Sequence, residues 1–335
     1  MSIFVQKSGI LSTIQDLGRK GFRRFGINSN GAMDSRAVRL INILLGNNEA
    51  EAVLEMHFPA PEILFEEDAF VALGGADFGA KLDDKFVENW RICFAEKGSV
   101  LKFEQKVLGS RAYLSVKGGF EIKKWLDSSS TNLLAKIGGF EGRSLQTGDR
   151  IKFNGKRKME NGKFKNQDSK SIPKLKFPYK ISNALVPRYN SFPTVRVVAG
   201  AEFEILTAFS EQNLCKQTFA VRADSDRMGF RLAGEPLYLL EDEELVSSAV
   251  NFGTIQLLPD GQTIVLMADC QTSGGYPRIA HVVSTDLPIL AQLGANDKVG
   301  FEIISLEEAE NVALQNEIDL EYLKLGVKEK LREWL

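Results

Sequence analysis

Short segments in which hydrophobic and polar residues alternate recur along most of the chain. They are rich in Val, Ile and Phe, and Gly or Asp marks many of their ends, as in Gly74-Gly75 and Pro259-Asp260-Gly261. This alternation predicts β-strands separated by tight turns. The clearest candidates lie at 69–73, 91–95, 100–104, 112–116, 194–198 and 264–267. Many short strands at close spacing predict a mainly β fold of the barrel or sandwich type.

Few segments show helical spacing. One helix is predicted to start at Asp34, a good N-cap, and to end at Gly46, a good C-cap. A shorter helical turn is predicted over 49–54. The Ser-Leu-Glu-Glu motif at 305–308 is a capping box, and it predicts one or two helices that continue to the C-terminus. Because this tail is highly charged, we expect it to form a solvated outer surface.

The two halves of the chain resemble each other. Each contains a strand, a Gly-Gly-aromatic turn (118–120 and 274–276) and then a segment that ends in Asp-x-hydrophobic-x-Phe. This similarity predicts two related all-β domains at 1–153 and 194–305, followed by a helical tail at 306–335. Pairing of the N-terminal strand with the second domain stays open. Residues 154–193 carry ten Lys or Arg against two acids and are interpreted as a basic linker or surface loop, with an anion-binding strip as the alternative.

Composition excludes several classes of protein. The net charge of −2 gives no electrostatic basis for a dedicated nucleic-acid binder. No apolar stretch is long enough to span a membrane, and the N-terminus lacks the apolar segment of a signal peptide. Three widely spaced cysteines and two histidines suit a reducing compartment and leave little material for a His/Cys metal site. We therefore expect a cytoplasmic protein that has no metal site of its own and binds neither nucleic acid nor membrane.

Candidate chemistry is concentrated in four clusters that combine glycine with charged or amide side chains, at 13–21, 30–34, 225–232 and 269–277. Glycine lets the backbone approach a ligand closely, and loops of this kind often carry function. The alternative is that each cluster is a turn capped by its own side chains. Four such clusters in one chain favour a shared ligand cleft, in which Asp226, Arg227 and Arg231 would lie close to Asp269, Gln271 and Tyr276. Under the alternative, Asp226 and Arg231 would only pair across a turn.

These clusters also carry a resemblance to a known family. The motifs TIQDLGRKGFR at 13–23, NGAMDS at 30–35, SDRMGFRLAGE at 225–235 and QTSGGYPRIAH at 271–281 are similar to those of the C subunit of bacterial ATP-dependent 5-oxoprolinase. That family is also described as KipA-like or allophanate hydrolase subunit 2, and a similar unit occurs in the carboxyltransferase region of urea carboxylase. The resemblance implies two tandem cyclophilin-like β-barrel domains with a few short helices. It covers residue 5 to about residue 309.

The resemblance also implies an activity. The C subunit works with a B subunit of similar fold and an A subunit, and the complex uses ATP and Mg²⁺ to open 5-oxo-L-proline to L-glutamate. Amide resonance makes an unstrained lactam a poor electrophile, and phosphorylation of its oxygen removes that obstacle. The single chain is expected to be inactive alone. On positions that match the family, the expected catalytic groups are Asp16, Asp226 and Asp269. The expected substrate or phosphate contacts are Gln15, Arg19, Arg227, Arg231, Gln256, Gln271, Thr272, Gly274, Gly275 and Tyr276.

The chain departs from the family at two places where arginine is common. It has Ser129 within Asp127-Ser-Ser-Ser-Thr, and it has Cys270 after Asp269. A nucleophilic role for Cys270 is not favoured, because no base is placed beside it in the sequence. These departures leave the substrate open. The alternatives are a biotin-dependent carboxyltransferase component, with biotin carried on another chain because no Ala-Met-Lys-Met site is present, and a non-catalytic KipA-like partner of a kinase inhibitor.

Overall fold

A computed structural model describes residues 1–154, 179–241 and 245–334. Strands dominate, which confirms the prediction of a mainly β fold. The helices within these residues are α1 (Ser35–Leu44), α2 (Ala208–Lys216), α3 (Leu287–Leu290) and α4 (Leu306–Trp334), together with a single 3₁₀ turn at Arg23–Phe25. None of the described helices is both long and apolar enough to cross a lipid bilayer.

Eleven strands make up the first half, from residue 2 to residue 152. They are β1 (Ser2–Lys7), β2 (Ser12–Gln15), β3 (Val53–Met56), β4 (Glu62–Phe65), β5 (Ala69–Asp77), β6 (Ala80–Leu82), β7 (Lys85–Phe86), β8 (Ile92–Ala95), β9 (Val100–Phe103), β10 (Leu108–Val116) and β11 (Arg150–Lys152). They form one sheet in the order β11-β1-β4-β9-β6-β7 and a second in the order β2-β3-β10-β5-β8. Both sheets enclose one apolar core. The N-terminal strand β1 pairs with β4 and β11, so its partners lie in its own half.

These two sheets do not join into a closed ring, unlike the strands of the second half. Their edges hydrogen-bond to irregular segments instead. On the β2 edge, the carbonyl of Ser12 accepts from Leu145 N at 2.8 Å and that of Ile14 accepts from Thr131 N at 3.0 Å. On the β8 side, Ile181 N donates to Trp90 O at 3.0 Å. These contacts provide hydrogen-bond partners for the edge backbone groups, which in a closed barrel would pair with a neighbouring strand.

The second half contains a closed barrel of antiparallel and parallel strands in the order β12-β19-β16-β17-β14-β13-β20. Its strands are β12 (Thr194–Ala199), β13 (Phe219–Val221), β14 (Gly229–Ala233), β16 (Thr254–Leu257), β17 (Thr263–Leu266), β19 (Arg278–Val282) and β20 (Lys298–Ile303), and β15 (Ser248–Ala249) pairs separately with β18 (Ser273–Gly274). The barrel encloses its own apolar core. Fully buried Met33, from the first half, is part of that core.

Helix α1 forms as predicted. The Asp34 side chain accepts a hydrogen bond from Ala37 N at 2.8 Å, and Gly46 adopts a positive φ of 68° after the last turn. The turn predicted over 49–54 is wrong, because Val53 and Leu54 belong to β3 and pair with β2 and β10. The C-terminal tail is a single helix, and Leu320 on α4 is fully buried against α1.

The basic segment at 154–193 is described only in part, since residues 155–178 lie outside the described residues. The part from residue 179 onward packs against the first half. Ile181 is buried beside α1, and the Tyr189 hydroxyl donates to Asp34 Oδ2 at 2.7 Å. This end of the segment is therefore anchored by both apolar and polar contacts.

Candidate functional site

Polar side chains with little or no exposure gather where the first half meets the barrel. Two of them lie in β3 and just after β2, and two lie in the loop before α1. The other two lie just before β14 and just after β17. Charged groups removed from water need partners, so this arrangement requires dense pairing. We call the set the junction cluster; it consists of Asp16, Arg19, Asn30, Glu55, Arg227 and the 13% exposed Asp269.

Arg227 is the centre of the junction cluster. Its Nε donates to Asp269 Oδ2 at 2.9 Å, its Nη2 donates to Gly31 O at 2.6 Å, and its Nη1 contacts Glu55 Oε1. The other Glu55 oxygen accepts from the Tyr113 hydroxyl at 2.8 Å. Burial opposes ionisation of Glu55, but Arg227 beside it holds its pKa below the ordinary value. All three guanidinium nitrogens of Arg227 thus donate to protein oxygens that hold them in place.

A chain of hydrogen bonds runs from Asp269 back into the first half. Asp269 Oδ1 accepts from Asn30 Nδ2 at 2.8 Å, and Asn30 Oδ1 accepts from Arg19 Nη1 at 2.8 Å. The Arg19 guanidinium also lies over the Trp125 ring, with Cζ 4.7 Å from the ring centroid. Burial lowers the pKa of Arg19, and the nearby carboxylates of Asp16 and Asp269 oppose that shift. Arg19 therefore stabilises the junction as a buried cation.

Asp16 organises a buried serine loop. Its Oδ1 accepts from the hydroxyls of Ser128 at 2.7 Å and Ser130 at 2.5 Å, and its Oδ2 accepts from Ser129 N at 2.5 Å. Arg19 Nη2 contacts the carbonyl of Ser130 on the same loop. At Ser129, where the sequence resemblance implies an arginine in the family, the contact to Asp16 comes from the backbone N–H. The Asp16 carboxylate is consequently committed to holding the loop.

The Gly-Gly turn at 138–139 is explained by this packing. Gly138 has a φ of 70°, and a Cβ added there would collide with the carbonyl of Ser130 and with Nη2 of Arg19. Glycine is the residue that accepts both conditions without strain. The turn therefore supports the loop that Asp16 holds.

Gln15 connects β2 to the same loop. It is fully buried, and its Nε2 donates to Thr13 Oγ1 at 3.0 Å and to Thr131 O at 3.3 Å. This amide therefore joins a strand of the first half to the residue that follows the buried serines.

A second polar contact between the halves involves Gln292, just after α3. Its Nε2 donates to Asp34 Oδ2 at 2.9 Å, and its Oε1 accepts from the backbone N–H groups of Ser110 at 3.0 Å and Arg111 at 2.9 Å. Arg111 Nη1 returns a hydrogen bond to Ala291 O at 2.5 Å. Burial raises the pKa of Asp34 to about 6, against the opposing effect of the Gln292 hydrogen bond.

Gln256 and the segment 271–276 form a separate amide-rich region, in which Gln256 lies beneath the exposed side chains of Gln271 and Tyr276. Gln256 is fully buried; its Nε2 donates to Tyr276 O at 3.2 Å, and its Oε1 has no hydrogen-bond partner in the described part of the chain. A Cβ at Gly274 would lie only 2.9 Å from Gln256 Nε2, so the backbone approaches this amide closely. The side chains of Gln271 and Tyr276 are exposed. We call this region the amide loop.

Arg23 fixes one end of the amide loop and lies beside Cys270. Its Nη2 contacts the carbonyl of Val250 and lies 3.4 Å from Thr272 O, which also accepts from Val250 N at 3.2 Å. Burial raises the pKa of the Cys270 thiol, against the opposing effect of Arg23. A raised pKa is opposite to what a nucleophilic thiolate requires.

The remaining predicted site residues lie at the surface. Asp226 is exposed and caps its own turn by accepting from Met228 N at 2.7 Å. Arg231 is exposed, with Nε 3.7 Å from Asp224 Oδ2. The sequence predicted that both residues lie close to Asp269. Their segment does meet Asp269, since Arg227 O accepts from Asp269 N at 2.8 Å, but the Asp226 and Arg231 side chains are exposed and make their polar contacts within their own segment. The charged cluster at 225–232 therefore reaches Asp269 through one arginine, at position 227.

Glu55 and Gln292 lie outside every predicted cluster, and Asn30 and Asp34 belong to the predicted cluster at 30–34 without an individual role having been predicted for them. Each of the four bridges the two halves or supports a residue that does. Glu55 carried a usable signal, because a lone carboxylate in the apolar strand Val53–Met56 needs a buried partner. Gln292 follows a short helix without any distinguishing pattern in the sequence.

Metal and nucleotide binding would depend on metal-ligating side chains and on the buried arginines. Among the described residues, no three His, Cys, Asp or Glu side chains are arranged to hold a metal ion. The buried arginines of the junction cluster already donate to protein oxygens. Within the described residues, the junction cluster therefore has no guanidinium left free for a nucleotide phosphate.

Known proteins resemble this chain over most of its length. Residues 25–303 match the carboxyltransferase domain family, subdomains A and B, and the chain belongs to that family. It is 37% identical over 319 residues to the 5-oxoprolinase C subunit of Haemophilus influenzae, covering 95% of this chain and 96% of that protein. It is 36% identical over 304 residues to the 5-oxoprolinase C subunit of Escherichia coli, covering 90% and 91%. The resemblance seen in the sequence motifs is thus confirmed.

Solved structures share the fold. The urea amidolyase of Kluyveromyces lactis superimposes with a TM-score of 0.86 at 24% identity, covering 96% of this chain. The urea carboxylase of the same yeast also gives a TM-score of 0.86 at 24% identity. This chain spans only 20% and 29% of those two proteins, respectively. At this level of identity the similarity establishes the architecture.

Proposed function

We propose that this chain is the C subunit of an ATP-dependent 5-oxoprolinase, which opens 5-oxo-L-proline to L-glutamate together with an A subunit and a B subunit. The observation that carries the proposal is the match, over almost the full length of both chains, to 5-oxoprolinase C subunits at 36% and 37% identity. The three free cysteines, Cys93, Cys215 and Cys270, support a reducing, cytoplasmic location as part of the same proposal.

The pairing of the buried charges supports a requirement for other subunits. Arg227 and Arg19, the strongest candidates for anion contacts, donate to carboxylate, amide and carbonyl oxygens within this chain. A phosphorylated lactam needs cations or N–H groups that are free to contact it. We therefore place ATP and Mg²⁺ on another subunit, or at an interface to which another subunit contributes.

The amide loop is the part of this chain that we propose to contact the lactam. Gln256 Oε1 is a buried acceptor without a partner among the described residues, so a lactam N–H would reach it when the segment 271–276 moves away from it. Tyr276 and Gln271 are exposed beside it and can donate hydrogen bonds to a carboxylate. In this arrangement, the chain binds and orients the substrate while the partner supplies the phosphoryl chemistry.

Reconstitution tests the proposed function. The chain would be co-purified with candidate A and B subunits from the same organism, and glutamate and inorganic phosphate would be measured with ATP, Mg²⁺ and 5-oxoproline. We expect activity from the complete complex and none from the single chain. Glutamate release by the single chain would overturn the division of labour, and an inactive but intact complex would overturn the substrate.

Variants of the amide loop test the proposed contacts separately. Gln256→Leu and Tyr276→Phe should each lower the activity of the complex by about tenfold or more, since one hydrogen bond to a charged or buried group accounts for that factor. Tyr238→Phe is the matched control, because Tyr238 is 55% exposed and lies outside the amide loop. Unchanged activity in both amide-loop variants would remove this surface from the site.

A urea carboxylase-like role is the second candidate. It is favoured by 26% identity to the urea amidolyase of Saccharomyces cerevisiae over 335 residues, although this chain spans only 18% of that protein. Such a role would require biotin delivered on another chain. Carboxylation of urea in the presence of a biotin-loaded carrier would support this candidate, and ATP-dependent glutamate formation without biotin would exclude it.

A further inference from the structure

Helix α4 carries two apolar faces. On the inner face, Leu320 is fully buried, and Leu323 and Val327 pack with it against α1. On the outer face, four large apolar side chains are 38% to 70% exposed. Their spacing of four, four and three residues keeps them on one side of the helix over about three turns. We call them the outer stripe; they are Leu314, Ile318, Tyr322 and Leu325.

The outer stripe is more than scattered surface hydrophobicity. Single exposed apolar residues are normal, but a continuous row on a helix is typical of an interaction surface. The inner face already supplies the contacts that hold α4 to the body, together with the Arg39–Glu317 ion pair at 2.5 Å and the Lys324–Glu49 ion pair at 3.2 Å. The outer stripe is therefore not needed for attachment of the helix.

Charge along α4 is divided between its two ends. From 306 to 323 the helix contains six acids and no Lys or Arg, and from 324 to 333 it contains four Lys or Arg and two Glu. Acidic residues at a helix N-terminus favour the helix dipole, but that effect fades beyond the first turn. The acids continue for about four turns, to Glu321, so the dipole does not account for the whole pattern. Glu317 and Glu321 pair with Arg39 and Lys324 of this chain, whereas the acids at the start of the helix and the bases at its end would be complemented by a partner with the opposite arrangement of charge.

We propose that the outer stripe binds the outer stripe of a second copy of this chain, with the two α4 helices antiparallel across a two-fold axis near Leu320. In that register Leu314 of one copy lies opposite Leu325 of the other, and the acidic end of each helix faces the basic end of its partner. A parallel arrangement would place like charges together. A two-fold pairing uses the same surface on both copies, as isologous dimers do. The surface lies beyond residue 303, where the family match ends, so the proposal is independent of the proposed function.

Sedimentation velocity of the full-length chain over a wide range of concentration tests the proposal. We expect a concentration-dependent dimer that weakens at high salt, because the flanking charges are screened. Leu314→Glu and Leu325→Glu should each weaken dimerisation about a hundredfold, since each change occurs twice and one buried Leu contributes roughly a factor of ten. Ile10→Glu, at an exposed apolar site outside α4, is the control and should leave the dimer intact.

Charge reversal distinguishes the antiparallel arrangement. Glu307→Lys with Glu310→Lys gives α4 basic residues at both ends, and Lys328→Glu with Arg332→Glu gives it acidic residues at both ends. Each double variant alone should be monomeric, with an unchanged circular dichroism spectrum, and an equimolar mixture should form a heterodimer. A wild-type chain that stays monomeric, a dimer that ignores the stripe variants, or a mixture that does not associate would each overturn the proposal.

Discussion

Arg227 and Glu55 contact each other although both side chains are buried and they lie 172 positions apart in the chain. Glu55 belongs to a strand of the first half, and Arg227 precedes a strand of the barrel. Asp269 completes the set by accepting from Arg227 Nε at 2.9 Å. Because the Arg227 guanidinium is already paired with two carboxylates, it holds the two halves together and has no nitrogen left free for an anionic ligand. Substitution of Arg227 is therefore expected to affect the stability of the fold.

We predict that Arg227→Ala destabilises the fold by about 3–5 kcal/mol, because it leaves the buried Glu55 carboxylate without its cation. Urea denaturation followed by circular dichroism measures this change. Arg231→Ala is the matched control: Arg231 is exposed, and its loss should change the free energy of unfolding by less than about 0.5 kcal/mol. A stable Arg227→Ala chain with a large loss of activity in the complex would instead favour direct anion binding.

Asp34 should make stability fall as pH rises. Its pKa is about 6 in the folded protein against an ordinary value of 3.8, so the folded state holds its proton longer than the unfolded state. Between about pH 4 and pH 6 the free energy of unfolding therefore loses roughly 3 kcal/mol from this group, at 1.36 kcal/mol per unit. Asp34→Asn should remove this slope in urea titrations across that range. An unchanged slope would contradict the burial of an ionisable Asp34.

His57 should make the free energy of unfolding rise with pH, which is opposite to the effect of Asp34. Burial, assisted by the positive potential of Arg111, lowers its pKa to about 4 from 6.5, and its Nε2 has no hydrogen-bond partner within the described residues. The unfolded state then binds a proton first as pH falls from 6.5 toward 4, and stability is lost over that interval. His57→Gln should flatten this acid loss. Compared at pH 4 and 6.5 in urea titrations, the His57 and Asp34 variants should tilt the stability profile in opposite directions, and a shared direction would count against one of the two assignments.

The three thiols should differ in reactivity. Cys215 is exposed, Cys93 is half-buried and Cys270 is almost fully buried with its pKa raised by burial. We expect a disulfide reagent to label Cys215 first in the native protein and Cys270 only after unfolding, as mapped by mass spectrometry of peptides. Cys215→Ser should remove the fast phase. Rapid labelling of Cys270 in the native chain would show an accessibility that the fold does not provide.

Local patterns in the sequence predicted much of the fold. The alternating segment at 112–116 lies within β10, and Asp34 and Gly46 bound α1 as their capping chemistry requires. Helix α2 was missed because its polar composition lacks a clear apolar stripe, although Thr207 caps it through Ser210 N. The sequence also did not predict that the two sheets of the first half fail to close into a barrel. Edge strands that are covered by loops show the same alternation of hydrophobic and polar residues as strands that close a barrel.

The candidate site was harder to predict because polar side chains in loops form hydrogen bonds within the protein as readily as they bind ligands. Asp226 and Asp16 both lie near glycine, yet one caps an exposed turn and the other holds a buried serine loop. Which arginine of a cluster faces inward depends on packing between distant segments. Arg227 meets Asp269 only because the barrel brings their strand ends together. The sequence predicted that the clusters at 225–232 and 269–277 lie close together, but spacing along the chain does not show which of their side chains makes the contact.

Met33 has a consequence for how far the molecule can be divided. This side chain belongs to the first half, yet it fills space in the core of a barrel built from residues 194–303. A fragment that begins after residue 178 would keep every barrel strand and still contain a hole of that size, while the complementary fragment would expose a methionine to water. Met33 thus makes the core of the barrel depend on the first half. We expect the two halves, when produced as separate fragments, to fold fully only after they are mixed.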